Sequence, residues 1–262
     1  MGPSRTRSGT LARRAQMITI QTIPCLADNY AYLIHAAGEG DAVVVDPSEA
    51  APVAAALAAA GLALRGILAT HHHHDHVDGI RELVDGAPGP VWVAAHARDR
   101  GRVPRQTVFV DAPEGGFVAT DLSVGGAPLL GMHIPGHTRA AIAWALGGPD
   151  RHPTDIFTGD TLFGAGCGRL FEGTPAQMWS SLRALTSGAA SIRLWFGHEY
   201  TAANLRFAAT LEPDSPALAA RGAGLAACTT PTTVGVERDT NPFVRAASVA
   251  ELAARRAAKD VF

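Results

Sequence analysis

The sequence predicts an α/β fold followed by a helical C-terminal domain, and three observations carry that expectation. Short β-branched or apolar runs of strand length recur at residues 42–45, 66–69, 91–94, 129–133, 141–145, 155–158 and 193–196. Helical patterns interleave with them. After Phe196 the strand pattern fades, and helix-like segments at 201–211, 216–227 and 249–259 take over, which puts a domain boundary near His198. With 262 residues the chain can bury one large core, or a core with a smaller appendage.

Each helix has its own local justification. The alanine-rich stretch 51–60 is stopped by Gly61, the residue type that accepts the left-handed conformation at a C-terminal cap. Thr174 offers a capping oxygen, Pro175 suits the first helical position, and Gln177 completes a capping box. Ser248 and Glu251 repeat that pattern for the last helix, where Arg256 and Lys259, three apart, share a face.

Composition excludes several partners. A net charge of −2 points to neither nucleic acid nor a membrane surface, and no apolar run approaches the roughly 18 residues of a membrane span. Three scattered cysteines, Cys25, Cys167 and Cys228, do not make a disulfide framework and suit a reducing compartment. The chain is expected to be a cytoplasmic monomer acting on a small molecule. Residues 1–16, with four arginines and no acid, are expected to be a disordered extension outside the fold: a transit peptide, a tag remnant or an over-called start.

The chemistry concentrates in T-H-H-H-H-D-H-V-D-G, from Thr70 to Gly79. It follows the run 66–69, so the histidines fall at the C-terminal end of a buried strand, where α/β enzymes carry functional loops. The H-x-H-x-D-H spacing supplies imidazoles and a carboxylate suited to zinc or iron, and could serve two adjacent metals if Asp75 and His76 curl away from His71 and His73. A dinuclear site needs further ligands. His137 in P-G-H-T, Asp160 in T-G-D-T-L-F and His198 in F-G-H-E-Y-T each follow a strand-like run beside a glycine that lets the backbone approach a crowded centre. With His71, His73, Asp75 and His76 they make seven candidate ligands.

T-H-H-H-H-D-H, H-T, G-D-T-L-F, G-C-G-R-L-F-E-G and G-H-E-Y-T, in this order, resemble the hydroxyacylglutathione hydrolase (glyoxalase II) family of the metallo-β-lactamase superfamily. L-A-D-N-Y-A-Y-L at 26–33, V-D-P at 45–47, N-P-F-V-R at 241–245 and the closing K-D-V-F extend the match. The resemblance implies an αββα sandwich over residues 17–197 and a helical substrate-binding domain over 198–262. It implies that His71, His73 and His137 bind one metal, that Asp75, His76 and His198 bind a second, and that Asp160 bridges them. His72 and His74 are then not ligands. The cofactors implied are two divalent ions, zinc before iron or manganese.

The activity implied is hydrolysis of S-D-lactoylglutathione to D-lactate and glutathione by a hydroxide bridging the metals, with Asp75 orienting it. Arg256 and Lys259, the latter the sole lysine in the chain, match positions that hold the glycine carboxylate of glutathione; Arg169, Phe171 and Tyr200 match further glutathione contacts. Arg169 and Phe171 stand where other members carry Lys and Tyr, His74 stands for a Trp, and T-R-A-A at 138–141 lacks a histidine that is not a ligand. Cys167 reads as a small buried residue in a glycine turn, before a nucleophile or a soft metal ligand. Asp46 reads as a carboxylate that orients a ligand histidine or as turn support. Hydrolysis of another thioester or a lactone, or mononuclear iron persulfide dioxygenase chemistry, are the competing activities.

Overall fold

The computed structural model describes residues 17–148, 150 and 152–262; the expected extension 1–16 lies outside the described residues. The chain opens with β1 (Ile18–Cys25), β2 (Asn29–Ala36), β3 (Asp41–Val45), α1 (Ala50–Ala60), β4 (Ala63–Leu68), α2 (His74–Val77), α3 (Ile80–Gly86), β5 (Trp92–His96) and β6 (Val108–Val110). There follow β7 (Val118–Val124), β8 (Ala127–His133), β9 (Ile142–Gly147), β10 (Pro153–Gly159), β11 (Leu162–Phe163), β12 (Gly166–Cys167), α4 (Pro175–Leu185) and β13 (Arg193–Phe196). The chain closes with α5 (Thr201–Leu211), α6 (Pro216–Ala223), β14 (Thr232–Thr233), α7 (Val234–Thr240) and α8 (Val249–Asp260).

Twelve of the strands form two six-stranded sheets, β1-β2-β3-β4-β5-β6 and β14-β13-β10-β9-β8-β7, and β11 pairs with β12 as a separate hairpin. Their side chains sort by the period of two that a pleated strand imposes. On β2, Tyr32 and Ile34 face the second sheet, where they pack with Trp144, Phe157 and Phe196. Ala31 and Leu33 face the other way, onto Val53 and Leu57 of α1 and Ile80 of α3. On the far side of the second sheet, Leu130, Met132 and Leu194 pack against Met178 and Leu182 of α4 and Leu252 of α8. The result is four layers, αββα, with three apolar seams. Trp144 ties the inner seam by donating its indole N–H to Ala69 O at 3.0 Å.

Most of the expected elements form where local chemistry placed them. Gly61 caps α1 at φ 65°, Thr174 and Gln177 make a complete capping box on α4, and β13 and α5 coincide with their expected spans. The helix expected over 216–227 stops at Ala223, because Gly222 and Gly224 remove its propensity there. On α8, Ser248 accepts from Glu251 N, but the Glu251 carboxylate reaches Ala247 N rather than closing the box. β1, β2, β6 and β7 add strands that the apolar-run pattern omits. β1 alternates buried with exposed residues, and β7 is a largely exposed edge.

Candidate metal centre

Strand ends bring the seven candidate ligands together. β4 delivers His71 and His73, and the one-turn α2 then swings Asp75 and His76 away, as two adjacent sites require. His137 lies beyond β8 in the connection to β9, Asp160 directly follows β10, and His198 lies two residues after β13. Gly197 permits this crowding: a Cβ there would meet Asp160 Oδ1 at 2.4 Å.

Two triads result. His71 Nε2 lies 3.1 Å from His73 Nδ1, which lies 3.0 Å from His137 Nε2. His198 Nε2 lies 3.1 Å from Asp75 Oδ2, and His76 Nε2 lies 3.8 Å from the same oxygen. Asp160 sits between them, with Oδ1 3.2 Å from His76 Nε2 and Oδ2 3.4 Å from His198 Nε2 and 3.6 Å from His137 Nε2. A third grouping, Asp46 with His71 and His76, also has suitable spacing. Its carboxylate is already committed, accepting from Thr70 N at 2.7 Å, Thr70 Oγ1 at 2.6 Å and His76 Nδ1 at 3.0 Å.

The donor set fits divalent cations. Each triad offers three nitrogen or oxygen atoms within 4.8 Å of one another. His76 Nε2 and Asp160 Oδ1 are buried and face each other at 3.2 Å, yet neither makes a well-directed hydrogen bond, an arrangement that a bound cation would satisfy. Four of the five histidines have their outward ring nitrogen engaged: His71 Nδ1 with Thr70 Oγ1 at 3.0 Å, His137 Nδ1 with Arg169 O at 2.9 Å, His198 Nδ1 with Asp28 Oδ1 at 2.8 Å, and His76 Nδ1 with Asp46. Such partners fix ring orientation and turn the Nε2 lone pairs inward.

The electrostatics separate the triads. Burial, with the charges of neighbouring imidazoles, lowers His71 well below its ordinary range and brings His73 down to about 4. Burial also lowers His137. For His198 burial acts downward, but hydrogen bonds to Asp160 and Asp75 overcome it and raise the imidazole to about 10. The Asp75 carboxyl is held low, first by His198, and Asp160 is held low by His76 and His198 against its own burial. The first triad is thus a set of neutral imidazoles. Against the downward pull of burial, Asp160 and Asp46 raise His76 as Asp160 and Asp75 raise His198, so in the second triad the carboxylates hold protons on the imidazoles that a bound cation would displace.

The other histidines of the run turn elsewhere. His72 points to Asp99 at 2.9 Å and to Arg102, which pairs with Glu172. The His74 side chain is 95% exposed and pairs with Asp78. Sequence reasoning did not single out Asp28, Asn29, Thr70, Asp99 or Arg102. Asp28 and Asn29 fall within L-A-D-N-Y-A-Y-L without a role of their own, and only the tertiary fold brings them to His198 and Asp75.

The centre opens into a cavity of about 870 Å³, whose walls include all five expected substrate contacts. Tyr200 stacks on His198 with ring centroids 4.8 Å apart, and Phe171 makes T-shaped contacts with His73 and His137. Lys259 Nζ donates to Ala203 O at 3.3 Å. Arg169 Nε lies 3.4 Å from Asp260, which also accepts from Arg256 Nη2 at 3.1 Å. Arg256 is almost fully buried and donates from Nη1 to Cys167 O at 2.7 Å. Cys167 is itself buried, which pushes its thiol up to about 11.

The four layers and the histidine–aspartate cluster at the strand ends define a metallo-β-lactamase superfamily protein, and the model of that superfamily matches residues 27–198. The model described as hydroxyacylglutathione hydrolase C-terminus matches residues 199–262. The chain is 45% identical over 229 residues to a hydroxyacylglutathione hydrolase of Synechococcus sp. strain JA-2-3B'a(2-13), covering 85% of this chain and 86% of that protein. It is likewise 45% identical over 235 residues to one of Cereibacter sphaeroides, covering 87% and 88%. The chain belongs to the hydroxyacylglutathione hydrolase family. Among solved structures, ETHE1 from Myxococcus xanthus shares the fold at a TM-score of 0.66 and 24% identity over 91% of this chain and 90% of that one. TTHA1623 in a di-iron-bound form aligns at a TM-score of 0.55 and 25% identity over 86% and 99%. In this fold the clustered histidines and aspartates imply divalent metal ions.

Proposed function

We propose that the chain hydrolyses S-D-lactoylglutathione to D-lactate and glutathione, with His71, His73 and His137 holding one divalent cation, Asp75, His76 and His198 a second, and Asp160 both. The observation that carries this reading is Asp160 lying within 3.6 Å of histidines from both triads, in a cavity that Arg169, Arg256 and Lys259 also line. Relatives at 45% identity carry the name hydroxyacylglutathione hydrolase, and the di-iron form of TTHA1623 supports room for two ions in this fold. Zinc is the first choice, with iron or manganese accepted by the same ligands. Two cations so held would polarise a carbonyl and bring the pKa of water between them towards about 7.

The chain's own groups supply the rest. Asp75 is anionic and oriented by Asn29 Nδ2, 3.2 Å from Oδ2, so it can accept a hydrogen bond from the attacking water and aim it. The cationic wall suits the carboxylates of glutathione. Phe171 offers a ring face but no hydroxyl. Cys167, buried and protonated, is not required as a nucleophile. Residues 17–197 would carry every ligand but His198, and 198–262 would add His198 and the Tyr200, Arg256 and Lys259 part of the substrate wall, in a cytoplasmic monomer. The test is incubation of purified, metal-analysed protein with S-D-lactoylglutathione, following loss of thioester absorbance; metal-loaded protein without turnover would refute the assignment.

A further inference from the structure

The N-P-F segment beginning at Asn241 and the carboxylate of Glu237 belong neither to the ligand set nor to the cavity wall, yet both residues have no exposed surface. They grip the β11–β12 hairpin. Asn241 Nδ2 donates to Phe163 O at 3.2 Å and Gly166 O at 2.9 Å, and Glu237 Oε2 accepts from Ala165 N at 2.9 Å. Arg256, on Cys167 O, extends the grip. Each gripping group is itself held. Asn241 Oδ1 accepts from Phe243 N at 3.0 Å, which fixes the amide, and Glu237 Oε1 accepts from Arg221 Nη2 at 2.6 Å and Thr232 Oγ1 at 2.7 Å.

The hairpin has two-residue strands and could not hold its shape alone. Its ends meet the metal centre: Asp160 lies two residues before β11, and Gly168 follows β12. A Cβ at Gly168 would meet Asp160 O at 2.0 Å and His137 Nδ1 at 2.8 Å, and the next residue supplies the carbonyl, Arg169 O, that orients His137. Side chains from the helical segment thus set the backbone that carries Asp160 and buttresses His137. We infer that Asn241 and Glu237 are positioning residues for the metal centre, so that the helical segment organises the ligands as well as facing substrate. This inference rests on the reading that Asp160 and His137 hold metal.

The test uses Asn241→Asp in the full-length chain, which keeps the shape but turns the donor into an acceptor facing two carbonyls and the Glu237 carboxylate. Zn²⁺ affinity is measured on metal-stripped protein by competition with a chelator, and turnover is measured on S-D-lactoylglutathione and on a small thioester lacking glutathione. Affinity should fall about tenfold or more, as for partners that orient ligands elsewhere. The kcat should fall alike on both thioesters, while KM for the glutathione thioester stays within about twofold. Asn241→Ser, which deletes the amide without adding charge, carries the same expectation should the aspartate variant not fold. Arg238→Ala is the control: Arg238 ties α7 to Thr186 O and Gly188 O, away from the hairpin, so it should lower Tm and leave Zn²⁺ affinity unmoved. Parent-like Zn²⁺ affinity and kcat in the Asn241 variants, with only a lowered Tm, would overturn the inference alone. Failure of the parent chain to bind Zn²⁺ would instead overturn the ligand assignment beneath it.

Discussion

His72 and His73 are neighbours in sequence, yet their imidazoles serve different networks: His72 Nδ1 lies 2.9 Å from Asp99 Oδ1, while His73 Nδ1 lies 3.1 Å from His71 Nε2. The chain is extended at His73, the residue before α2, so successive side chains point to opposite sides.

That division predicts opposite outcomes for two adjacent substitutions. His73→Ala should lose metal from the first triad and most activity. His72→Ala should keep both ions and lose stability, because among the described residues the buried Asp99 would keep only the longer ion pair to Arg102 at 3.8 Å. Metal content per chain, measured on dialysed protein, decides; equal losses would mean that the register of the ligand loop is wrong.

The fold and the site were legible in the sequence to different depths. Runs such as Arg193–Phe196 are apolar along most of their length because the sheets are covered on both faces, and that pattern survives without any neighbour information. β7 buries little, so its sequence carries no such pattern. The ligand candidates were legible because His and Asp beside Gly at strand ends make a local signal. Asp28 gave none. Its bond to His198 spans 170 residues and exists only once β2 and β13 are brought together, where Asn29 bridges to His198. The Glu237–Asn241 grip was hidden for the same reason, although N-P-F marked the place.

Asp46 offers a second test. Its backbone has φ 47°, a conformation that Asn also tolerates, so Asp46→Asn should keep the turn while weakening the acceptor for His76 Nδ1 and both Thr70 donors. A loss of about 10–100-fold in metal affinity is expected, with the circular dichroism spectrum preserved. Undiminished affinity would reduce Asp46 to a turn support.

The cysteines differ in reactivity because only the thiolate is nucleophilic. Burial pushes the Cys167 thiol up to about 11 and also raises Cys25, whereas Cys228 is exposed. An acid whose folded pKa is raised stays protonated over a wider pH range. In native protein at pH 7 to 9, iodoacetamide should therefore label Cys228 and spare Cys167, with Cys167 labelling rising only as the pH approaches that value or the chain unfolds. Cys228→Ser should abolish native labelling and leave turnover intact. Rapid labelling of Cys167 at neutral pH with loss of activity would revive the nucleophile reading.

Lys259 is the cleaner probe of substrate recognition. Arg256 also lines the cavity, but its Nη1 holds Cys167 O, so replacing it would disturb the hairpin and confound recognition with ligand positioning. Among the described residues Lys259 Nζ contacts Ala203 O at 3.3 Å and the faces of Phe207 and Phe262, and burial together with the Arg256 and Arg206 charges lowers its pKa. A half-buried ammonium next to other cations gains from meeting a carboxylate. Lys259→Gln should raise KM for S-D-lactoylglutathione with little change in kcat, because a carboxylate remote from the reacting bond interacts alike in ground and transition states. A charge-assisted hydrogen bond contributes roughly 1.5 to 3 kcal/mol, so the rise should be about tenfold or more where KM reflects binding. Hydrolysis of a small thioester without glutathione should not change, and raising ionic strength should narrow the gap between parent and variant. An unchanged KM for the glutathione thioester would remove Lys259 from the recognition site and favour a different thioester or a lactone as the substrate.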